Sequence, residues 1–282
     1  MKEFPRTQVA DLSLSRMIIG TNWFCGYSHT SPAKDNYIKE HTHKPDKIAD
    51  ILEVFLKYGV DTIMGILEED DVMLQAIKEA EQKAGRKIIK ITTPILNVSD
   101  SDQARGEAEA QLDKCAEKGC EFCLPHHSCV EQLIDKGNRK IHRIEDYLKM
   151  IRDRDMIPGF SAHMPEVIVY ADENDYDIET YIQLYNAAGF LMQLEVEWVN
   201  KIIQNAKNPV MTIKPMAAGR LTPFVGLSFV WNTIRERDMV TVGTNTPAEA
   251  EEDIEISLAA LEKRGAQIGG RGTPGENTVM DE

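Results

Sequence analysis

The sequence has no long apolar run. No stretch approaches the roughly 18 consecutive apolar residues of a membrane-spanning helix. Residues 1–8, MKEFPRTQ, lack the apolar core of a signal peptide. We therefore expect a cytoplasmic protein with no membrane partner.

The chain also lacks an excess of positive charge. It has 32 lysines and arginines against 46 aspartates and glutamates, and a formal net charge of −14. Because phosphate backbones and anionic lipid surfaces repel such a chain, nucleic acid is disfavoured as a partner. A small-molecule substrate is expected, and the composition leaves a homo-oligomer open.

Cysteine is scarce, with five residues in 282. An odd number in a chain of this length does not suit a disulfide framework and fits a reducing compartment. Three of the five fall in residues 119–129, GCEFCLPHHSC, beside two adjacent histidines. Cys120 and Cys123 lie an odd number of residues apart on a predicted strand, so they face opposite sides of the sheet and cannot bind one metal ion without distortion. We predict that they are small core residues.

Strand-like and helix-like segments alternate along the whole chain. Short apolar or β-branched runs occur at residues 17–21, 60–66, 87–93, 120–125, 156–162, 191–196, 210–215 and 239–244. Between them, apolar residues recur every three or four positions, as in a helix, at residues 47–58, 71–84, 104–118, 144–154 and 248–262 among others. This alternation predicts an α/β fold with a parallel sheet.

Eight strand–helix units in about 250 residues are typical of a (β/α)8 TIM barrel. We expect one barrel domain over residues 1–264 and a flexible glycine-rich tail at residues 265–282, which could lie over the barrel mouth. An open doubly wound sheet is disfavoured because no G-x-G-x-x-G turn follows an early strand. Catalytic groups are expected where the parallel strands end.

Five segments resemble the aldo/keto reductases, in the order in which that family carries them. Residues 9–22, VADLSLSRMIIGTN, are similar to its N-terminal hairpin and first strand. The others are GFSAH at 159–163 for strand five, LMQLE at 191–195 for strand six, IKPMAAGRL at 213–221 for strand seven and VGTNTPAEAEED at 242–253 for the last helix. The resemblance covers nearly the whole chain and implies a barrel that begins with a short hairpin.

The catalytic residues of that family do not follow. Aldo/keto reductases use Asp, Tyr, Lys and His, of which Tyr donates the proton. The matching segments place Met64, Glu69 and Pro94 at the first three positions, and only His126 is kept. Since an ordinary glutamate has a pKa of about 4.3, Glu69 would be ionised at neutral pH and could not replace the tyrosine.

The cofactor residues are incomplete as well. Ser161 and Gln193 match residues that hold the nicotinamide amide, but the matching asparagine is Ala162. Residues 242–253 contain no lysine or arginine for a 2′-phosphate, and their glutamates would repel one. The resemblance therefore implies a divergent member in which NADP(H) is less expected than in its relatives.

We predict catalytic roles for three residues at predicted strand ends, His126, Glu69 and Lys214. Glu69 or Glu68 facing His126 would form a pair whose pKa values are pushed apart, as proton transfer beside a carbonyl requires. A desolvated Lys214 could form a Schiff base, although an ion pair with Glu195 is the favoured alternative.

Polar and aromatic residues near the same strand ends are predicted to bind substrate. They are Asn22, Trp23, Tyr27, His29, Glu68, Thr93, Ser161, Gln193 and Asn245. The aromatic rings of the first loop suit a platform for a sugar ring, whose apolar face packs well on aromatics. They could equally serve only to close the barrel mouth.

A divalent metal ion, Zn, Mn or Mg, is a further expectation. His126, His163 and Glu195 on neighbouring strands could bind one and leave positions open for water and substrate. No H-E-x-x-H motif supports this set, and histidines that bond backbone carbonyls or a polar substrate are favoured. The HTH at residues 41–43 could bind a stray metal ion, but solvated surface is the favoured interpretation.

Three functional hypotheses follow. The favoured one is a non-redox enzyme that acts on a small polar carbonyl or carbohydrate substrate by acid/base chemistry, metal-assisted or not, as an isomerase, epimerase or lyase. The second is a divergent NAD(P)H-dependent aldo/keto reductase. The third is a catalytically inactive barrel that binds a metabolite.

Overall fold

The chain folds as a closed barrel of eight parallel strands. The computed structural model describes residues 2–269. A hairpin of β1 (Arg6–Val9) and β2 (Leu12–Ser15) precedes the barrel, and a second one, β7 (Ile134–Asp135) with β8 (Lys140–Ile141), lies in a loop. The barrel strands are β3 (Met17–Gly20), β4 (Thr62–Gly65), β5 (Ile89–Thr92), β6 (Phe122–Cys123), β9 (Ile157–Ala162), β10 (Thr180–Leu184), β11 (Val210–Ile213) and β12 (Met239–Val242). They pair in that order, and β12 closes on β3. The predicted barrel with an N-terminal hairpin is confirmed.

Helices cover the outside of the barrel. They are α1 (Pro32–His41), α2 (Pro45–Lys57), α3 (Asp71–Ala84), α4 (Asp102–Glu117), α5 (His127–Val130), α6 (Ile144–Arg152), α7 (Glu166–Glu173), α8 (Val196–Asn205), α9 (Pro223–Thr233) and α10 (Pro247–Glu262). Each of the five predicted helical segments is a helix. In residues 2–269 no helix combines the length and the apolarity that crossing a bilayer requires. Most of the predicted flexible tail, residues 270–282, lies outside the described residues.

The sixth barrel strand is not where the sequence pattern placed it. Residues 191–196 form a turn leading into α8, and Leu191 and Leu194 are exposed. The strand is β10, in which every residue is buried. Alternating apolar and polar residues suit a strand with one wet face, whereas a parallel barrel strand is covered on both faces. The match of residues 191–195 to strand six was therefore wrong.

The apolar core has two layers. Inside the barrel, residues from seven strands pack together: Ile18, Met64, Ile91, Phe122, Ile182, Met211 and Met239. Val9 and Leu14 of the hairpin belong to the same cluster, so the hairpin closes the amino end of the barrel. A larger cluster lies between strands and helices and includes Cys120 and Cys123, which are buried free thiols as predicted. The two lie in the same layer, so the prediction that they face opposite sides of the sheet was wrong: Cys120 precedes β6, and the alternation of a strand does not extend to it.

Acidic residues with hydrogen-bond partners lie just before two of the barrel strands, at the amino end of the barrel. Asp238, just before β12, is fully buried and accepts hydrogen bonds from the N–H of Val210 at 2.9 Å and from the Arg235 guanidinium at 2.7 and 2.8 Å. Asp61, just before β4, accepts both of its hydrogen bonds from Arg6, at 2.8 and 2.9 Å. These carboxylates tie the amino end of the barrel, its base, together.

Candidate active site at the barrel mouth

Three titratable side chains come directly after barrel strands. His126 follows β6 and caps α5, His163 follows β9, and Lys214 follows β11. Because parallel strands end at one rim, the topology brings all three to the mouth. The charge of Lys214 lowers the pKa of both histidines, which indicates that the three side chains lie near one another. These three predicted residues therefore share one region.

The histidines form a stack of three rings. The ring centroids of His126 and His127 are 4.1 Å apart, and those of His127 and His163 are 3.9 Å apart with the planes only 15° from parallel. Burial, and then the neighbouring His127 and Lys214, lower the pKa of His126 to about 4 and that of His163 to about 3. Both imidazoles are therefore neutral at pH 7.

Glu131 holds the end of β9 against the stack. One carboxylate oxygen accepts the backbone N–H groups of His163 at 2.6 Å and Met164 at 2.9 Å. The other lies 3.8 Å from Nδ1 of His127, which is an ion-pair distance and too long for a hydrogen bond. Burial raises the pKa of Glu131, but His127 and the two N–H groups outweigh it and lower the pKa overall. An ionised Glu131 thus positions His163 through the backbone.

Lys214 is the unusual cation of the mouth. Burial lowers its pKa to about 8. In the part of the chain that the structure describes, its ammonium has no hydrogen bond or ion-pair partner, and the ion pair with Glu195 is not formed. Its backbone φ is +58°, a left-handed conformation that costs a non-glycine residue about 1 kcal/mol. Such strain is typical of functional loops.

Other cations lie near Lys214. Burial lowers the pKa of His29, and the charges of Lys214 and then Arg220 lower it further. The guanidinium of Arg220 lies 3.9 Å above the ring of Phe190, which holds it over the loops that follow β10 and β11. In a chain with a net charge of −14, this mouth is locally positive. A positive cleft concentrates anionic ligands.

The loop after β3 brings aromatic rings to the rim, as predicted. Trp23 packs on Gly243 at the end of β12, where an added Cβ would lie 2.9 Å from the indole. The ammonium of Lys34 lies 5.5 Å from the Trp23 ring, and that of Lys39 lies 5.5 Å from the exposed ring of Tyr27.

The polar residues predicted to bind substrate differ in exposure. Asn22 and His29 are exposed, Asn245 is half-buried, and Thr93 and Ser161 are buried next to the ends of β5 and β9. The exposed and half-buried ones can reach a ligand without rearrangement.

The two glutamates after β4 point away from the histidines. Glu68 is buried and accepts hydrogen bonds from Thr92 and, at 3.0 Å, from Gln111 on α4. Glu69 accepts hydrogen bonds from Gln111 at 2.9 Å and Lys114 at 3.1 Å, and these contacts lower its pKa. Both carboxylates thus face the outer helix α4. The predicted pairing of Glu69 or Glu68 with His126 is not formed, because barrel geometry turns these side chains outward.

Gln193 and Glu195 are also displaced from their predicted positions. Both are exposed in the turn before α8, because the sixth strand ends eleven residues earlier than the motif match assumed. Among the described residues, the ligand atoms of His126, His163 and Glu195 do not come within 4.8 Å of one another. The structure brings the two histidines to one mouth but leaves the carboxylate outside.

The residues present do not fit a nicotinamide cofactor bound as in the reductases. Gln193, the expected amide partner, is in solvent, and the glutamine that β10 itself carries, Gln183, is buried and donates to the backbone carbonyls of His163 at 3.3 Å and Leu184 at 3.2 Å. The carboxylate of Glu249, at the start of α10, accepts the backbone N–H of Asn245 at 2.6 Å. It lies where a ligand for the 2′-phosphate of the cofactor is expected, and its negative charge would repel that phosphate. At the position of the family's helix asparagine, Asp253 is buried among acidic neighbours, and burial followed by Glu249 and Glu252 raises its pKa to about 8.

Sequence reasoning missed two groups of the mouth. Arg220 belongs to IKPMAAGRL, where the motif match drew attention to Lys214 alone. His127 was noted only as the neighbour of His126, although it is the ring that links His126 to His163. The available signal for Arg220 was its position, seven residues after the end of β11, as a basic residue in a strongly acidic chain. The stacking of His127 left no signal in the sequence.

Comparison with known proteins places this barrel among solved structures. No family model matches the sequence, and no curated protein matches it. Two structures of a candidate aldo-keto reductase from Pseudomonas aeruginosa are similar at 14% identity; they cover 91% and 92% of this chain and 95% and 97% of their own, with TM-scores of 0.64 and 0.65. An aldose reductase from Giardia lamblia is similar at 11% identity over 93% of this chain and 91% of its own, with a TM-score of 0.54.

The chain shares the barrel fold of these reductase structures. The order of the motifs had predicted this likeness, and the neighbours confirm it at the level of the barrel. This barrel carries Met64 inside its apolar interior and Glu69 on its outer face. Because one fold hosts many chemistries, the mouth residues must decide the function.

Proposed function

We propose that this protein is a non-redox enzyme of isomerase, epimerase or lyase type that acts on a small anionic carbonyl compound, such as a keto acid or a sugar derivative. The observation that carries the proposal is Lys214, a partly buried ammonium at the mouth that has no partner within residues 2–269 and lies beside two neutral histidines. The family-type reduction lacks its proton donor, whereas these groups suit proton transfer.

Each mouth residue then has a role in the reaction. Arg220 and the positive field bind the anionic group of the substrate. A neutral imidazole of His163 or His126 donates a hydrogen bond to the carbonyl oxygen, and the unprotonated amine of Lys214, whose pKa of about 8 lies near the working pH, removes the proton from the adjacent carbon. The electron pair of the C–H bond moves to the oxygen, where the imidazole N–H and the resulting ammonium stabilise the enolate. Return of the proton to the same or the neighbouring carbon completes an epimerisation or an isomerisation.

Lys214 also supports a covalent route. With a pKa of about 8, roughly one amine in ten is unprotonated at pH 7, against fewer than about one in a thousand for an ordinary lysine. The neutral amine can add to the carbonyl and lose water to form a Schiff base. The imine nitrogen, once protonated, then accepts the electron pair from a breaking C–C bond, which is a lyase reaction.

The test is exchange of substrate hydrogen with solvent. Purified protein is incubated in D₂O with pyruvate or dihydroxyacetone phosphate, and deuterium at the carbon next to the carbonyl is followed by NMR. We expect exchange that falls at least about 100-fold in Lys214→Met and about 100-fold in His163→Asn. Lys201→Met is the matched control, because Lys201 lies over Trp198 on the outer helix α8.

Two outcomes contradict this proposal. Equal exchange in wild type and Lys214→Met would remove Lys214 from the reaction. Oxidation of NADPH with any of these carbonyl compounds would favour the reductase alternative instead. For the covalent route, borohydride should trap a substrate adduct on Lys214, found by peptide mass.

A bound metal ion, a cytoplasmic location and a homo-oligomeric state are further proposals. A divalent metal ion held by His126 and His163 would polarise the same carbonyl. Metal analysis of protein purified without chelators tests it, and retention of exchange activity after chelation would count against it. Cytoplasmic localisation and a homo-oligomer stay predictions.

A further inference from the structure

A second group of chemically reactive side chains lies away from the stacked histidines. Sγ of Cys25 lies 3.2 Å from one oxygen of Asp70, and Nε2 of His43 lies 3.7 Å from the other. One ligand atom from each residue lies within 4.8 Å of the other two, and no other Cys, His, Asp or Glu group within residues 2–269 meets this spacing. All three side chains are half-buried.

The spacing matches that of a tetrahedral metal centre. Zn–S bonds of about 2.3 Å and Zn–N and Zn–O bonds of about 2.0 Å place neighbouring ligand atoms about 3.3–3.5 Å apart. The two observed separations lie on either side of this range. Only small side-chain rotations are needed for all three atoms to reach one ion.

His43 is oriented as a metal ligand is. Its Nδ1 donates to the carbonyl oxygen of Phe24 at 3.1 Å, so the lone pair is on Nε2, which faces Asp70. A backbone carbonyl in this role is the common outer partner of a metal-bound histidine, since it fixes the tautomer and the ring orientation. The backbone N–H of His43 is itself bonded to the carbonyl of Ile38, which fixes the residue between α1 and α2.

The other two ligands are held in place too. Asp70 caps α3 and accepts the N–H of Met73 at 3.0 Å, which leaves its second oxygen for the thiol. Cys25 is followed by Gly26, whose φ is +74° and where an added Cβ would lie 2.9 Å from the carbonyl oxygen of Asp35. The loop therefore packs closely on α1, and the three ligands are preorganised by three separate segments.

The donor set identifies the chemical class of the ion. A thiolate, an imidazole and a carboxylate suit Zn²⁺ or Co²⁺, whereas Mg²⁺ and Ca²⁺ prefer oxygen alone. We propose that Cys25, His43 and Asp70 bind one thiophilic divalent transition metal, with Zn²⁺ as the best match and a fourth position open to water. The proposal does not depend on the chemistry assigned to Lys214.

Binding must release a proton. Burial, and then the charge of Asp70, raise the pKa of the Cys25 thiol, so in the metal-free protein the thiol is protonated and donates to Asp70. A divalent ion replaces that proton, because the thiolate is the ligand. Metal affinity should therefore rise with pH.

The experiment uses Co²⁺ as a spectroscopic probe on the full chain. We expect about one equivalent of Co²⁺ to produce a thiolate-to-metal charge-transfer band and visible bands of a four-coordinate ion, all abolished when Zn²⁺ displaces it. Zn²⁺ should also raise the melting temperature, since binding to the folded state alone stabilises it. His41→Gln is the control, because His41 ends α1 only two residues before His43 but stacks on Tyr37.

Three variants complete the test. Cys25→Ser should lose the charge-transfer band, and His43→Gln and Asp70→Asn should weaken Zn²⁺ binding at least about 10-fold, while Asn keeps the helix cap. His41→Gln should bind as wild type does. No charge-transfer band in wild type, or unchanged Zn²⁺ affinity in His43→Gln and Asp70→Asn, would overturn the proposal; these two variants decide it if Cys25→Ser does not fold.

Discussion

The two ends of the barrel treat charge in opposite ways. At the base, Asp238 and Asp61 are matched by arginines and backbone N–H groups, so each buried charge has its partners. At the mouth, Lys214 has no partner in the described part of the chain, and His126 and His163 are kept neutral by burial and by neighbouring positive groups. Satisfied charges hold strands together, whereas unsatisfied ones are available to a ligand.

The largest effect on stability is expected when a charge is removed from the base of the barrel. Asp238→Ala should lower the free energy of unfolding by about 3–5 kcal/mol, because it leaves the Arg235 guanidinium without its carboxylate. Urea denaturation measures this loss. Asp175→Ala is the control: its ion pair with Lys207 is exposed, and its loss should cost less than about 1 kcal/mol. Similar losses in both variants would contradict a structural role for the base charges.

A buried acid without a basic partner gives the next largest effect. Asp253 is 3% exposed, and burial, then Glu249 and Glu252, raise its pKa to about 8. The folded state therefore holds a proton that the unfolded state releases above pH 4, so this group removes stability as pH rises from about 4 to about 8. Asp253→Asn should raise the free energy of unfolding by about 2 kcal/mol at pH 7.5. The gain should shrink at pH 4.5; an equal gain at both pH values would contradict the titration.

The histidines of the mouth predict the opposite pH dependence. The pKa of His163 is lowered from 6.5 to about 3 and that of His126 to about 4, chiefly by burial. The unfolded state binds protons that the folded state excludes, so stability is full above pH 6.5 and falls as pH drops toward 4. His163→Asn should reduce the loss of stability between pH 7 and pH 5 by about 1 kcal/mol. Thermal melts across that range measure it, and an unchanged slope would place His163 in solvent.

The smallest effect is expected at Glu69, which the sequence had assigned to catalysis. Its side chain is 52% exposed and pairs with Lys114 on the outside of the barrel. Glu69→Ala should change the free energy of unfolding by less than about 1 kcal/mol and leave solvent exchange of the substrate unchanged. A large loss of exchange would mean that Glu69 turns inward when substrate binds.

Most of the fold could be read from local pattern. Seven barrel strands and the five predicted helices are where periodicity placed them, because each needs an apolar face and a turn signal that neighbouring residues supply. The sixth strand was missed because β10, although buried on both faces, carries a threonine, a tyrosine and a glutamine and so does not form the apolar run that the others show. Residues 191–196, which are mostly exposed, match the sequence pattern of a strand more closely than β10 does.

The site was predictable only in part. His126, His163 and Lys214 could be found because a barrel presents the residues that follow its strands at one rim. The direction of Glu68 and Glu69 could not, since their partners Gln111 and Lys114 lie on α4, 42 to 45 residues further along the chain. The Cys25, His43 and Asp70 cluster could not either, because its members are distant along the chain.

Sequence pattern was sufficient for the barrel, its closing hairpin and the strand ends that carry imidazole and ammonium groups, since these follow from periodicity over neighbouring residues. Tertiary structure alone decided which charges have partners: it paired the acids of the base, left Lys214 without a partner among residues 2–269, and brought a thiol, an imidazole and a carboxylate within 4.8 Å of one another. The reason is that hydrogen bonds and desolvation depend on atoms that meet across the fold, and no local spacing records those meetings.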